Sequence, residues 1–226
     1  MKQLARKKIV FVIVEGPSDD EALGLFLTRI YDKNKVYVHI VHGDLTTTTG
    51  KIKDKIADAV RAYANSTHLT KLNFEEVIHI VDMDGAYIPD SAIIDDATAI
   101  HPVYSITEIH TCDPDGIIER NKRKRKNIDV ISSLSTVWGG VTYHAYYMSC
   151  NLDHVLYNKL NCTDQEKEDN AYAFAKKYDN DLPGFVAYLS NSNFSVTGDY
   201  LDTWKFTKQG KHSLERHTNI GLCLKP

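Results

Sequence analysis

The sequence predicts an α/β fold, a mostly parallel sheet flanked by helices, with a helical insertion and a helical C-terminal extension. Three observations predict it. Lys8–Val14 and Glu76–Val81 are apolar, β-branched runs with the length of strands buried on both faces of a parallel sheet. Helical stretches and one further strand lie between them, the alternation of a βαβ frame. Each run also empties directly into acids: Glu15-Gly16-Pro17-Ser18-Asp19-Asp20 after the first, Asp82-Met83-Asp84-Gly85 after the second. In an open α/β sheet the carboxyl edge is where ligands bind, and both acidic tips belong to that edge.

The elements follow in order. Ser18 suits an N-cap, and Ala22, Leu23, Leu25, Phe26 and Leu27 give the apolar face of a helix reaching about Tyr31. Lys35–Val41 alternates and is β-branched, a second strand that ends at His42-Gly43-Asp44, before the Thr46–Thr49 run and Gly50-Lys51. A second helix fits Ile52–Ala64, with Ile52, Ile56, Ala59, Val60 and Tyr63 on one face. Past Gly85 the pattern loosens through Pro89 and Pro102, leaving a short strand at Tyr104–Thr111 and a charged helix from about Pro114 to Leu134. Val141–Met148 reads as a fourth core strand and empties into Ser149-Cys150-Asn151-Leu152-Asp153 and another helix. From Thr163 the chain reads helical, and Trp204–Leu224 has no clear period. One domain over residues 1–226 is expected: a core of about 7–155, interrupted by an insertion of about 86–140, and an extension of about 156–226.

Composition narrows the function. The 226 residues are 42% hydrophobic and 25% charged, ordinary for a soluble protein, and the net charge of −3 excludes polyanion binding by bulk electrostatics. Nucleic-acid affinity would have to come from a local patch or from metal. Cys112, Cys150, Cys162 and Cys223 are scattered without a CxxC pair, which points to reduced thiols in a cytoplasmic protein. The basic N-terminus precedes too few apolar residues for a membrane span or a targeting segment, so no membrane association is expected.

The acids carry the chemistry. Asp19 lies four residues after Glu15, and the Gly16 between them suits a sharp turn that brings a ligand close to the main chain. Asp82 and Asp84 alternate at a strand end, so both carboxylates can reach one cation. Acids near a helix N-terminus also serve simply to offset its dipole, the plain reading for Asp19 and Asp153. Two acids delivered by a buried apolar strand are costly without a cation or base, and the set calls for Mg2+ or Mn2+.

With these motifs in place, the chain resembles the Toprim family, the Rossmann-like catalytic domain shared by topoisomerases, bacterial primases and OLD-type (overcoming lysogenisation defect) nucleases. That family has Glu-Gly after its first strand and Asp-x-Asp after its third. The resemblance covers about residues 7–155. It implies catalytic roles for Glu15, Asp82 and Asp84, and metal ligation by Glu15, Asp19, Asp82, Asp84 and Asp153. Asn151-Leu152-Asp153, Trp204-Lys205-Phe206 and Ser213–Asn219 are similar to segments of small stand-alone OLD-like proteins associated with phage defence. The implied function is a metal-dependent nuclease, a toxin-like effector of an anti-phage or abortive-infection system working with a separate ATPase. DNA and RNA, tRNA among them, stay open as substrates. The alternative is a non-catalytic Toprim binding or regulatory subunit of an ATPase-containing defence complex. A topoisomerase would need DNA-gripping domains for which 226 residues leave no room.

Three other motifs bear on this. Val81-Asp82-Met83-Asp84-Gly85 also resembles the haloacid-dehalogenase phosphatase signature, with Gly198-Asp199-Tyr200-Leu201-Asp202 like its late acidic motif. That signature normally opens a chain and continues with Thr or Val, where this one has Ala86, and it leaves Glu15-Gly16 unexplained. Gly43–Lys51 fails the P-loop pattern twice, with Leu45 at the first glycine position and Ile52 after the lysine. Its threonines suit a polar loop at the active edge. Lys122, Arg123, Lys124, Arg125 and Lys126 form the one dense basic run, a solvated helix face or a phosphate-contacting one, with Lys205 and Arg216 as further nucleic-acid candidates.

Overall fold

The computed structural model describes residues 7–32 and 36–224. The basic N-terminus (residues 1–6), Lys35 and the last two residues of the chain lie outside these. The apolar runs fold as expected: β1 (Lys8–Val14), β2 (Val36–His42), β3 (Phe74–Asp82) and β8 (Val141–Met148) form one sheet with the edge strand β7 (Thr136–Val137), in the order β2-β1-β3-β8-β7. All pairs are parallel except β7 with β8. This is a Rossmann-like α/β architecture, and the parallel register puts the carboxyl ends of β2, β1, β3 and β8 side by side.

Strand alternation splits the core in two. Val10, Val12, Val14, Ile78, Ile80, Tyr146 and Met148 point to one face, covered by α1 (Pro17–Ile30), α4 (Leu152–Tyr157), α5 (Asp164–Tyr178) and α6 (Leu182–Asn191). There Phe26 stacks on Phe185 at 4.0 Å between ring centroids, with Phe174 and Tyr178 edge-on to both. Ile9, Phe11, Ile13, Val77, Val81, Tyr143, Ala145 and Tyr147 point to the other face, against α2 (Ile52–Ser66), α3 (Pro114–Ile131) and Trp204 of α7 (Tyr200–Thr207). Burying each such large side chain is worth about 1.5–3 kcal/mol.

Local chemistry corrects some boundaries. Gly16, not Ser18, is the N-cap of α1: Pro17 opens the helix and Asp19 Oδ2 accepts the Gly16 N–H at 2.9 Å. The insertion is not purely helical. The expected strand at Tyr104–Thr111 is a hairpin of β5 (Val103–Tyr104) and β6 (Ile109–Thr111), and β6 also pairs in parallel with β4 (Ile93–Asp95) in a second, three-stranded sheet. Helix α3 starts at Pro114, capped by the Asp113 side chain, and ends at Ile131.

The tail is built into the fold. Asn219 Oδ1 accepts the Tyr147 N–H, Ser213 O accepts from Gly85 and Cys150, and His217 O accepts from Ser149. The chain after α7 thus closes over the ends of β3 and β8. Among the described residues no helix is long and apolar enough to cross a membrane.

Candidate metal centre

Glu15 follows β1, Asp44 follows β2, and Asp82 closes β3 with Asp84 two residues on, so three adjacent strands deliver four carboxylates to one edge. One oxygen each from Glu15, Asp44 and Asp84 lie within 4.8 Å of one another. Octahedral Mg2+, with bonds of about 2.1 Å, spaces its oxygens roughly 3.0–4.2 Å apart, so small rotamer changes would fit this trio to such an ion. All-carboxylate donors suit Mg2+ or Mn2+ rather than zinc.

Asp84 owes its position to an unusual turn. Its φ is +46° and that of Gly85 is +67°, while Cys150 at the end of β8 has φ +27°. Asp84 N donates to Cys150 O at 2.7 Å, tying the two strand ends together. Arg120 Nη2 donates to Asp84 O at 2.8 Å and Arg120 Nη1 to Tyr104 Oη at 2.5 Å, which anchors the turn to the inserted sheet. Asp44 is held from its own loop: its Oδ1 accepts from Thr46 N, Thr46 Oγ1 and Thr47 N. The threonine run therefore orients an acid instead of standing free.

The cation at the trio is a side chain. Lys124 is fully buried, and its Nζ is ion-paired with Asp84 Oδ2, 3.5 Å from Glu15 Oε1 and 3.9 Å from Asp44 Oδ2. The expectation of a solvated basic run fails here. Helix α3 buries Ile117, Asn121, Lys124, Ile128 and Ile131, an i, i+4, i+7, i+11, i+14 stripe that places Lys124 inward, between Asn121 and Asn127. Asn127 Nδ2 donates to Thr46 O and Thr48 O, clamping the helix to the Asp44 loop. That periodicity was the available signal for Lys124. For Asp44 the signal was its place just past a strand end, like that of Glu15, Asp82 and Asp84.

The remaining acids stand on the other side. Continuing the strand alternation, Asp82 falls on the face of α1 and α4. Its carboxylate feels Glu15 and Asp19, and no hydrogen-bond donor or ion-pair partner among the described residues reaches it. Burial first, then Glu15, Asp19 and Asp84, hold its carboxyl well above the usual range. Burial pushes Asp19 up to about 6, against the Gly16 and Glu15 N–H groups and with Asp153 adding to the rise. Asp153 sits in the first turn of α4, behind the Asn151 cap, and is 7% exposed. Its Oδ1 is buried without a hydrogen-bond partner among the described residues. Glu15 stands between the two groups: its Oε1 accepts the Asp82 N–H at 2.9 Å, and burial pushes its carboxyl up to about 8 against Lys124, with Asp84 and Asp44 reinforcing the rise. Burial would also raise Asp44, but Lys124 and the threonine donors outweigh it and lower its pKa.

Lys122, Arg123 and Lys126 are exposed and Arg125 is partly so, with Lys122 paired to Glu119 and Arg125 4.0 Å from Asp90. Lys205 is exposed and paired with Asp202. Arg216 is committed to packing: its guanidinium donates to Val155 O and Tyr188 Oη and lies 4.2 Å from the Phe194 ring centroid. Asp199 caps α7, so with Asp202 on Lys205 the late acidic motif of the phosphatase reading stands apart from the cluster. No family model, curated protein or solved structure matches the chain.

Proposed function

We propose that the chain is a metal-dependent nuclease that hydrolyses phosphodiester bonds in DNA or RNA. The observation that carries this reading is the convergence of Glu15, Asp19, Asp44, Asp82, Asp84 and Asp153 at one sheet edge, with Asp153 Oδ1 buried and without a hydrogen-bond partner among the described residues. Buried acceptors left unpaired cost several kcal/mol, roughly, unless a cation satisfies them. A bound Mg2+ or Mn2+ supplies charge stabilisation to phosphoryl oxygens and acidifies water. Glu15, Asp19, Asp82, Asp84 and Asp153 are the candidate ligands in this reading, of which Asp84 is already paired with Lys124. Lys124 opposes the rise of the Glu15 carboxyl and lowers that of Asp44, and the Asp84 and Cys150 turns fix where the ligands stand. The exposed cations of α3, with Lys205, supply phosphate-backbone contact. By its resemblance, the protein is a cytoplasmic effector of anti-phage defence acting with a separate ATPase.

The test is hydrolysis of single- and double-stranded DNA and of RNA by the purified chain with Mn2+, beside Glu15→Ala and Asp82→Ala. Both variants should lose more than the roughly 10–100-fold that removal of an outer-shell partner costs. Activity surviving in both would overturn the reading. A second reading, a non-catalytic binding subunit, is favoured by one fact: Lys124 already neutralises part of the cluster without metal. Mn2+ binding with no hydrolysis on any substrate, even with an ATPase partner added, would establish it.

A further inference from the structure

We propose that the Lys124 ammonium permanently fills one of two cation positions, so that the chain binds a single divalent ion, on the side of Asp82, Asp19 and Asp153. This inference rests on the metal-dependent reading above. The cluster has two sides because strand alternation sends Glu15 and Asp82 to opposite faces of the sheet, while the loop after Gly43 and the left-handed turn at Asp84 bring Asp44 and Asp84 to the α3 side. Glu15, Asp44 and Asp84 meet α3, and there the ammonium lies within 3.9 Å of an oxygen of all three. Asp82, Asp19 and Asp153 meet α1 and α4, where no ammonium among the described residues stands within 4.0 Å of them: Lys167, paired with Asp164, and Lys159, bonded to Asn170, act on Asp153 only from a distance, and Lys167 likewise on Asp19.

Lys124 is poorly placed to leave. It is fully buried, and its helix is fastened to the site by Arg120 on Asp84 O, Asn121 on Gly85 O and Asn127 on the Asp44 loop. A metal ion bonds carboxylate oxygen at about 2.1 Å, so an ion centred in the trio would stand against the ammonium, cation on cation. On the opposite side the demand is unmet: Asp153 Oδ1 is buried with no hydrogen-bond partner among the described residues, and the half-buried Asp82 carboxylate has no ion-pair partner among them. Glu15, which already accepts from Asp82 N through Oε1, borders both sides and can serve each.

The experiment is Mn2+ stoichiometry by equilibrium dialysis, with free ion read by electron paramagnetic resonance. Wild type should bind one Mn2+ per chain and Lys124→Ala two. Two in wild type, or still one in a folded Lys124→Ala, overturns the inference while leaving a metal site in place. None in wild type overturns the metal reading itself. Because Lys124→Ala removes the counterion of three acids and can fail to fold, a second pair of variants decides independently. Asp82→Asn should weaken the wild-type Mn2+ site by at least about tenfold and Asp44→Asn should leave it within about threefold. The reverse order would place the ion at the trio and end the proposal.

Discussion

Left-handed backbone at Asp84 and Gly85 is the strain on which the site depends. A non-glycine residue there costs of order 1–3 kcal/mol, and Asp84 bears that cost because the turn aims its carboxylate at Lys124. Gly85 has a second constraint. A Cβ added to it would stand 2.6 Å from Leu214 Cδ2 and 3.1 Å from Ile109 Cδ1, both in the small core that the tail closes. Gly85→Ala is therefore expected to lower stability in urea unfolding by about 1–3 kcal/mol and to weaken Mn2+ binding with it. Gly16 is the contrast. Its φ of −145° suits any residue and an added Cβ meets nothing within 4 Å, so Gly16→Ala should cost under about 1 kcal/mol, the modest loss of a glycine cap. Equal losses for the two variants would refute the roles given to them. The Glu15-Gly16 pair thus draws its meaning from the strand end and the cap, not from a strained glycine.

Helix α3 presents two chemically different faces. Its inner stripe places Asn121, Lys124 and Asn127 in the site, while Lys122, Arg123 and Lys126 face solvent. Replacing Lys122, Arg123, Arg125 and Lys126 with Ser, leaving Lys124, should flatten the salt dependence of nucleic-acid binding, since each phosphate contact contributes about 0.7–0.9 to the log-log slope. Mn2+ affinity should hold. An unchanged slope would assign the outer face to ordinary solvation. Charge density made this run legible, but only the 3.6-residue period separates the lysine that enters the core from its neighbours. The core strands and α3 were legible because long apolar runs and a proline start leave little choice. Strands β4, β5 and β6 span two or three residues each, too short for any period, and exist through tertiary pairing around Ile93 and Ile109. The approach of Asp153 to Asp19 likewise comes from α1 and α4 packing into the same core on one face of the sheet, a long-range fact that local spacing does not encode.

For the whole molecule, the acid cluster ties stability to pH, and two sets of buried groups pull in opposite directions. Burial pushes His79, whose Nδ1 lies 2.8 Å from Tyr143 Oη, and His154 down to about 4 from the ordinary 6.5. Between those values the unfolded chain binds the extra protons, so this contribution to stability rises with pH and is complete near 6.5. Glu15 acts the other way. Raised to about 8 from an ordinary 4.5, it holds in the native state a proton that the unfolded chain has lost, so its contribution falls as pH rises through 8. Asp82, raised for the same reason, adds to that fall. Below 6.5 the two sets offset each other. Above 6.5 only the carboxyl groups remain, and metal-free protein should lose stability steadily from pH 6.5 to 8, by up to about 1.4 kcal/mol per pH unit for each proton. On the proposed metal-binding reading a divalent ion would take the place of those protons, so saturating Mn2+ should remove the decline and bind more tightly as pH rises across the same interval. Urea unfolding at half-unit steps of pH, in EDTA and in Mn2+, measures both. A flat EDTA series would mean that Lys124 neutralises the whole cluster by itself and that the edge needs no second cation.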